Sequence, residues 1–213
     1  MPNTPNASSQ DKSSTILADK TAIRRLLRQR RRSLSDYQQR QAAKKLARQL
    51  KKVIPADVRH IGLYFPADGE INPLVFGDAA RGKHKIYLPH MLSGNHLMFS
   101  EFGRHKGLVK KRFGLMEVSR PTFRQPHRLD IVLMPLVGYD KHGHRLGMGG
   151  GFYDRTFAYL TGNNWQSKPQ LIAVAHHVQV YPELPTEAWD VPVDMVVTDR
   201  HIIRCQPQAF RKV

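Results

Sequence analysis

The sequence predicts a three-layer α/β fold, with a mostly parallel central sheet and helices on both faces. Three observations point there. Short apolar runs alternate with helical patterns beyond residue 58. One run, Ile131 to Val137, is almost continuously apolar, as strands buried on both faces are. A glycine-rich stretch, Gly138 to Gly151, then separates that run from a helical pattern, the place where open α/β sheets bind ligands. The length of 213 residues suits one domain, and 40% hydrophobic residues suffice for one core.

The elements follow in order. Residues 1–14 are polar and lack apolar periodicity, so a disordered tail is expected there, with 15–213 as a single domain. The start has no apolar h-region, so no secretory signal is expected. Ile23, Leu26 and Leu27 give a basic helix one apolar face. Ser35 and Gln38 form a capping-box signature, which starts a second helix at Asp36. Ala43, Leu46, Leu50 and Val53 continue it until Pro55. Val58 to Phe65 reads as a strand ending in the turn Pro66-Ala67-Asp68-Gly69. Pro73 to Ala80 reads as a helix with proline in its first turn. Lys85 to Pro89 and Leu97 to Phe102 read as strands, and 103–128 shows no clear pattern. Phe152 to Leu160 is a helix that Gly162 would cap, and Leu171 to Ala175 and Val193 to Thr198 are strands.

Lysine and arginine exceed aspartate and glutamate by 17, which favours anionic partners. The segment from Arg24 to Lys52 carries much of this excess but has Tyr37 as its one aromatic residue. Nucleic-acid binding that relies on aromatics between the cations is disfavoured, so no specific nucleic acid is expected. No run is long enough to span a membrane. The lone Cys205 excludes an internal disulfide and suits a reducing compartment, so a cytoplasmic location is expected. The pairs His142/His144 and His176/His177 have no third ligand at a recognisable spacing.

Chemistry concentrates in Gly143-His-Arg145-Leu-Gly-Met-Gly-Gly-Gly-Phe-Tyr-Asp-Arg155. Glycines there let backbone N–H groups close on phosphate oxygens, and Arg145 can add a bidentate contact. The stretch is neither a Walker A loop nor a Rossmann fingerprint, and a structural turn remains an alternative. Tyr153 and Asp154 can serve neighbouring sites, as an aromatic platform and a carboxylate for a cation. Their alternatives are core packing for Tyr153 and a helix-dipole acid for Asp154.

Arg145 to Arg155, preceded by Asp130-Ile-Val-Leu-Met-Pro-Leu-Val-Gly-Tyr-Asp140, resembles the 5-formyltetrahydrofolate cyclo-ligases, also called methenyltetrahydrofolate synthetases. Lys20-x-x-Ile-Arg24, Tyr64-Phe-Pro-Ala-Asp-Gly-Glu-Ile71, Ala175-His-His-Val-Gln179 and Leu184 to Asp194 also resemble that family's blocks. Phe152 departs from it, replacing the first tyrosine of the usual Tyr-Tyr-Asp. The resemblance implies ATP-dependent closure of 5-formyltetrahydrofolate to 5,10-methenyltetrahydrofolate by phosphorylation of the formyl oxygen. It implies ATP binding by Lys20, Arg24, Arg145, Leu146, Gly147, Met148, Gly149, Gly150, Gly151, Phe152 and Tyr153. It implies Mg²⁺ on Asp154 and Asp190, folate on Glu70, Glu117 and Tyr153, and catalytic roles for Arg145 and Tyr153. On the residues alone, Glu70 reads rather as a solvated turn acid after Gly69. The expected partners are small molecules, with no membrane, and a monomer is expected.

Overall fold

The computed structural model describes residues 7–103, 107–111, 116–161 and 169–205, with side chains described from residue 19 onward. Two helices open it, α1 (Ala7–Arg32) and α2 (Asp36–Val53). The capping box at Ser35 and Gln38 forms as expected, and Ile54 closes the helix by donating to Leu50 O. Of the expected tail, residues 1–6 lie outside the described residues. From Ala7 the backbone is already helical, because a helix nucleated on a packed segment propagates at one hydrogen bond per residue fixed.

The sheet then forms from β1 (His60–Gly62), β2 (Lys85–Met91), β3 (Leu97–Glu101), β6 (Phe123–Arg124), β7 (Ile131–Met134), β10 (Gln170–Ala175), β11 (Met195–Thr198) and β12 (Ile202–Arg204). Their spatial order is β12-β11-β10-β7-β1-β2-β3-β6. The five central strands are parallel, while β12, β3 and β6 are antiparallel. The expected fold class is therefore the observed one.

The strand patterns explain the layers. Ile131 and Leu133 of β7 face one core with Ile172, Val174, Met195 and Val197, under α2 and α3 (Leu74–Ala80). Val132 and Met134 face the other core with Leu171, Ala173 and Val196, under α4 (Phe152–Phe157). This alternation makes β7 apolar at every position.

Several elements depart from expectation. The strand after Val58 is limited to His60–Gly62, because the chain then turns out of the ladder toward Asp68 and Gly69, both at positive φ. Beyond Met134 the apolar run leaves the sheet, and the Gly138–Tyr139 that follows it pairs as β8 with β9 (Arg145–Leu146). The glycine-rich stretch is thus part hairpin. The irregular region contains β4 (Leu108–Lys110) and β5 (Met116–Val118) as well as β6. Helix α4 gives way to a 3₁₀ turn over Ala158–Leu160, and the proposed cap Gly162 lies outside the described residues. Leu26 is 40% exposed, so the α1 stripe is narrower than read and runs through Ile23 and Leu27.

Chain order and spatial order reverse at β1, which has β2 on one side and β7 on the other. In open α/β sheets such a reversal leaves a crevice beyond the strands' carboxyl ends. The capping box is the local feature most open to test. Ser35→Ala should cost about 1 kcal/mol and lower Tm by ~2–4 °C, read by calorimetry, with no change in secondary structure.

Candidate active site at the switch point

Helix α1 is laid across this crevice by Ile23 and Leu27, which pack with Val137, Leu146 and Leu184. A Cβ on Gly138 would overlap Leu27 Cδ1, so glycine there permits the close approach of helix to hairpin. The cations of α1 then reach three separate segments. Lys20 Nζ donates to Asp190 Oδ2 at 3.2 Å and lies 3.7 Å from Glu187 Oε1. Arg24 Nε donates to Gly147 O at 2.8 Å. Arg31, with no exposed surface, reaches the turn after β1.

Arg31 donates from Nε to Asp68 O at 2.8 Å, from Nη2 to Asp68 Oδ2 at 2.6 Å and from Nη1 to Leu136 O at 3.1 Å. Arg28 Nε donates to Asp68 Oδ2 at 2.8 Å, and Arg32 pairs with Asp68 Oδ1. Burial raises the Asp68 pKa, but these three guanidinium partners outweigh it and hold the carboxyl well below the usual range. Next to it, Glu70 Oε2 accepts from Ala67 N–H at 3.0 Å, and Oε1 lies 3.9 Å from Arg31 Nη1. Burial dominates at Glu70, pushing its pKa up to about 7 against the Ala67 N–H and Arg31.

Glu70 lies near enough to Tyr153 for its charge to act on the hydroxyl. Burial raises the Tyr153 hydroxyl far above its ordinary pKa, the Glu70 charge raises it further, and Arg145 opposes. The ring of Tyr153 stacks on Phe157, with centroids 6.3 Å apart. Glu70 and Arg145 therefore both lie within electrostatic reach of Tyr153.

The glycine loop, 147–151, borders them. Gly149 and Gly151 hold positive φ of 98° and 65°, and Arg24 lies beside Gly149. Asn95 donates to Gly150 O at 3.1 Å, tying the β2–β3 turn to the loop. Met148 is 53% exposed, with its sulfur 4.0 Å from Arg31. Phe152 packs on the core beneath α4. Leu146 is different: its side chain is 3% exposed and packs under α1, so it is a core residue and cannot contact a nucleotide through that side chain.

Asp154 and Asp190 approach through the C-terminal segment. Asp154 Oδ1 accepts from Arg145 Nη2 at 2.5 Å and from Val191 N–H at 3.2 Å. Asp190 Oδ2 accepts from Lys20 and, at 2.9 Å, from Glu187 N–H. These bonds use one oxygen of each carboxylate. No group of three or more acidic, histidine or cysteine side chains among the described residues could cage a metal. Two carboxylates bordering a phosphate-sized loop fit Mg²⁺, which keeps waters and takes its other ligands from phosphates. They do not fit a closed zinc site.

Glu117 stands on β5, where its carboxylate pairs with His90 Nδ1 at 2.9 Å and accepts Met91 N–H at 3.1 Å. It lies against the carboxyl end of β2, with a partner the sequence did not suggest. The histidine pairs also fall into place. His144 binds Asp140, and His177 binds Asp199.

The profile of the 5-formyltetrahydrofolate cyclo-ligase family matches residues 16–199. The chain belongs to this family. The 5-formyltetrahydrofolate cyclo-ligase of Escherichia coli K12 is 36% identical over 181 residues, spanning 81% of this chain and 96% of the relative. That of Haemophilus influenzae is 35% identical, over 80% and 92% respectively. Among solved structures, the 5,10-methenyltetrahydrofolate synthetase of Aquifex aeolicus superposes with a TM-score of 0.74 at 28% identity, covering 88% of this chain and 93% of its own. The Mycoplasma pneumoniae synthetase gives a TM-score of 0.68 at 25% identity, covering 85% and 99%.

In this cyclo-ligase-family chain, sequence reasoning missed Arg31 and Asp68. A signal existed: Arg31 continues the apolar stripe Ile23–Leu27 by one more step of four, so a cation fell on a buried face. Arg31→Met should destabilise the fold by about 3 kcal/mol in urea denaturation, because it removes a fully buried cation that ties Asp68 to Leu136 and leaves these acceptors only their other donors, Arg28, Arg32 and Gln179. Glu70 supplies a second test. Its folded pKa near 7 lies above the ordinary 4.5, so the folded state holds the proton more tightly. Stability should fall as pH rises from about 4.5 to about 7 and level off above. Glu70→Gln should abolish this slope and gain ~1–3 kcal/mol at pH above that window, measured by denaturation across pH.

Proposed function

We propose that the protein catalyses ATP-dependent cyclisation of 5-formyltetrahydrofolate to 5,10-methenyltetrahydrofolate, with release of ADP and phosphate. The observation that carries this reading is that Glu70 and Arg145 both act electrostatically on Tyr153, with Arg145 beside the glycine loop. An acceptor suited to ring N–H groups thereby borders a loop suited to a triphosphate.

In this reading the loop N–H groups, Arg24 and Arg145 hold the phosphates, with Lys20 behind Asp190. Glu70 accepts hydrogen bonds from the pterin N–H and amino groups, for which its charged form is the better acceptor. Tyr153 lies against the folate and, with its raised pKa, stays a hydroxyl donor at neutral pH. The formyl oxygen on N5 attacks the γ-phosphorus. An O–P bond forms, the bond to the bridging oxygen breaks, and ADP departs. N10 then attacks the formyl carbon. The new C–N bond closes the ring, the C–O bond breaks with release of phosphate, and the N10 proton is lost to solvent. Asp154 and Asp190 would hold Mg²⁺, which neutralises phosphate charge. The protein's share is alignment and electrostatics, with no protein nucleophile required.

Purified protein given ATP, Mg²⁺ and 5-formyltetrahydrofolate should form methenyltetrahydrofolate and ADP in equal amounts, followed by absorbance. ADP release without ring closure would overturn the folate assignment. Asp154→Asn should lower kcat on the order of 10²-fold while folate binding by fluorescence and Tm persist. A fully active variant with unchanged Mg²⁺ dependence would reduce Asp154 to a helix-start acid.

A further inference from the structure

A broad cleft lies at the opposite end of the sheet from the glycine loop. It encloses about 820 Å³ at the amino ends of β1 and β2, between the end of α3 and the end of β3. His60 and Lys85, the first residues of the two strands, are register partners, and Lys85 N–H donates to Arg59 O at 2.7 Å. The starts of two adjacent strands therefore build the rim, and both Arg59 and Lys85 border the cleft.

The lining is cationic. Arg59, Arg81, Lys83 and Lys85 border it, against the single carboxylate of Glu101. Arg81 pairs with Asp78 at 2.9 Å and lies over the Phe102 ring, 4.7 Å from its centroid. Arg59, Lys83 and Lys85 are exposed and make no salt bridge among the described residues. Their field is felt locally. Burial lowers the pKa of His60; Arg124, Lys85 and Arg59 lower it further, against Asp130. Uncompensated cations converging on one concavity favour a multiply charged anion over a monovalent one.

The ligand's size and kind follow from the walls. The volume falls in the range of small-molecule sites. Of the rings on the wall, Phe102 is already covered by Arg81, and His60 and His84 pack on Tyr87 and Phe76, which disfavours the open stacking platform that single-stranded nucleic acids use. We propose that this cleft is a binding site for a small polyphosphate anion, separate from the crevice at the carboxyl ends of the strands. Lys83, Lys85 and Arg59 contact the phosphates, and Arg81 closes one side. A free polyphosphate and the phosphate chain of a nucleotide share this chemistry.

The proposal stands independently of the folate reading and is tested on the full chain with labelled histidines. His60 and His84 line the cleft and report on it, while His144 and His177 lie outside. Sodium tripolyphosphate at physiological salt should shift the His60 and His84 ring signals saturably, at one molecule per chain. Lys83→Glu/Lys85→Glu should weaken that binding by about tenfold or more while leaving folate cyclisation unchanged. Earlier saturation of His60 and His84 by ATP would identify a nucleotide as the ligand, and later saturation a free polyphosphate. Linear, unsaturable shifts, or equal binding by the double variant, would overturn the site. Displacement of tripolyphosphate by a short single-stranded RNA at far lower concentration would overturn the small-anion assignment in favour of a nucleic-acid surface.

Discussion

The site depends on one buried cation. Arg31 binds the carbonyl and carboxylate of Asp68, the carbonyl of Leu136 and the field of Glu70, so helix α1, the turn after β1 and the exit from β7 share one guanidinium. The planar five-donor fork makes this possible, and the point charge of a lysine could not span the same set. Burial of the charge is offset by the acceptors it meets, Asp68 above all. Because the three segments bound the switch-point crevice, the same contact that stabilises the fold also sets the distance between the α1 cations and the acceptor Glu70.

The electrostatics around that clamp are graded. Asp68, with three guanidinium partners, is ionised throughout the accessible range, while Glu70, a short step along the same turn and largely buried, titrates near neutrality. Two acids in one turn thus differ in charge: one is a permanent anchor, the other changes its charge near neutrality. Arg145 and Asp154 form the matching pair on the other wall, each neutralised by the other.

Much of this was readable because it is local. The capping box at Ser35, the helix stop near Pro55, the doubly buried β7 and the clustering of Glu70, Arg145 and Tyr153 all rest on short patterns or on block resemblance. The rest depended on partners distant in sequence. Nothing near Glu117 announces His90, and nothing near Arg31 announces Leu136. The weak strands between Phe102 and Leu129 are too short to show an alternating pattern. Leu146 was assigned to the nucleotide because it lies within the glycine motif, whereas its position on β9 turns its side chain under α1.

The two ends of the sheet bear on the protein's behaviour at high concentration. A central parallel sheet that ended in a long apolar strand would offer its unpaired N–H and C=O groups to another copy of itself. Here the border strands are the three-residue β12 and the two-residue β6, each antiparallel and each carrying an arginine, Arg204 and Arg124. Short, charged borders on a chain with a net charge of +17 make edge-to-edge docking both geometrically brief and electrostatically unfavourable. Colloidal stability is thus written into the same strand order that creates the crevice.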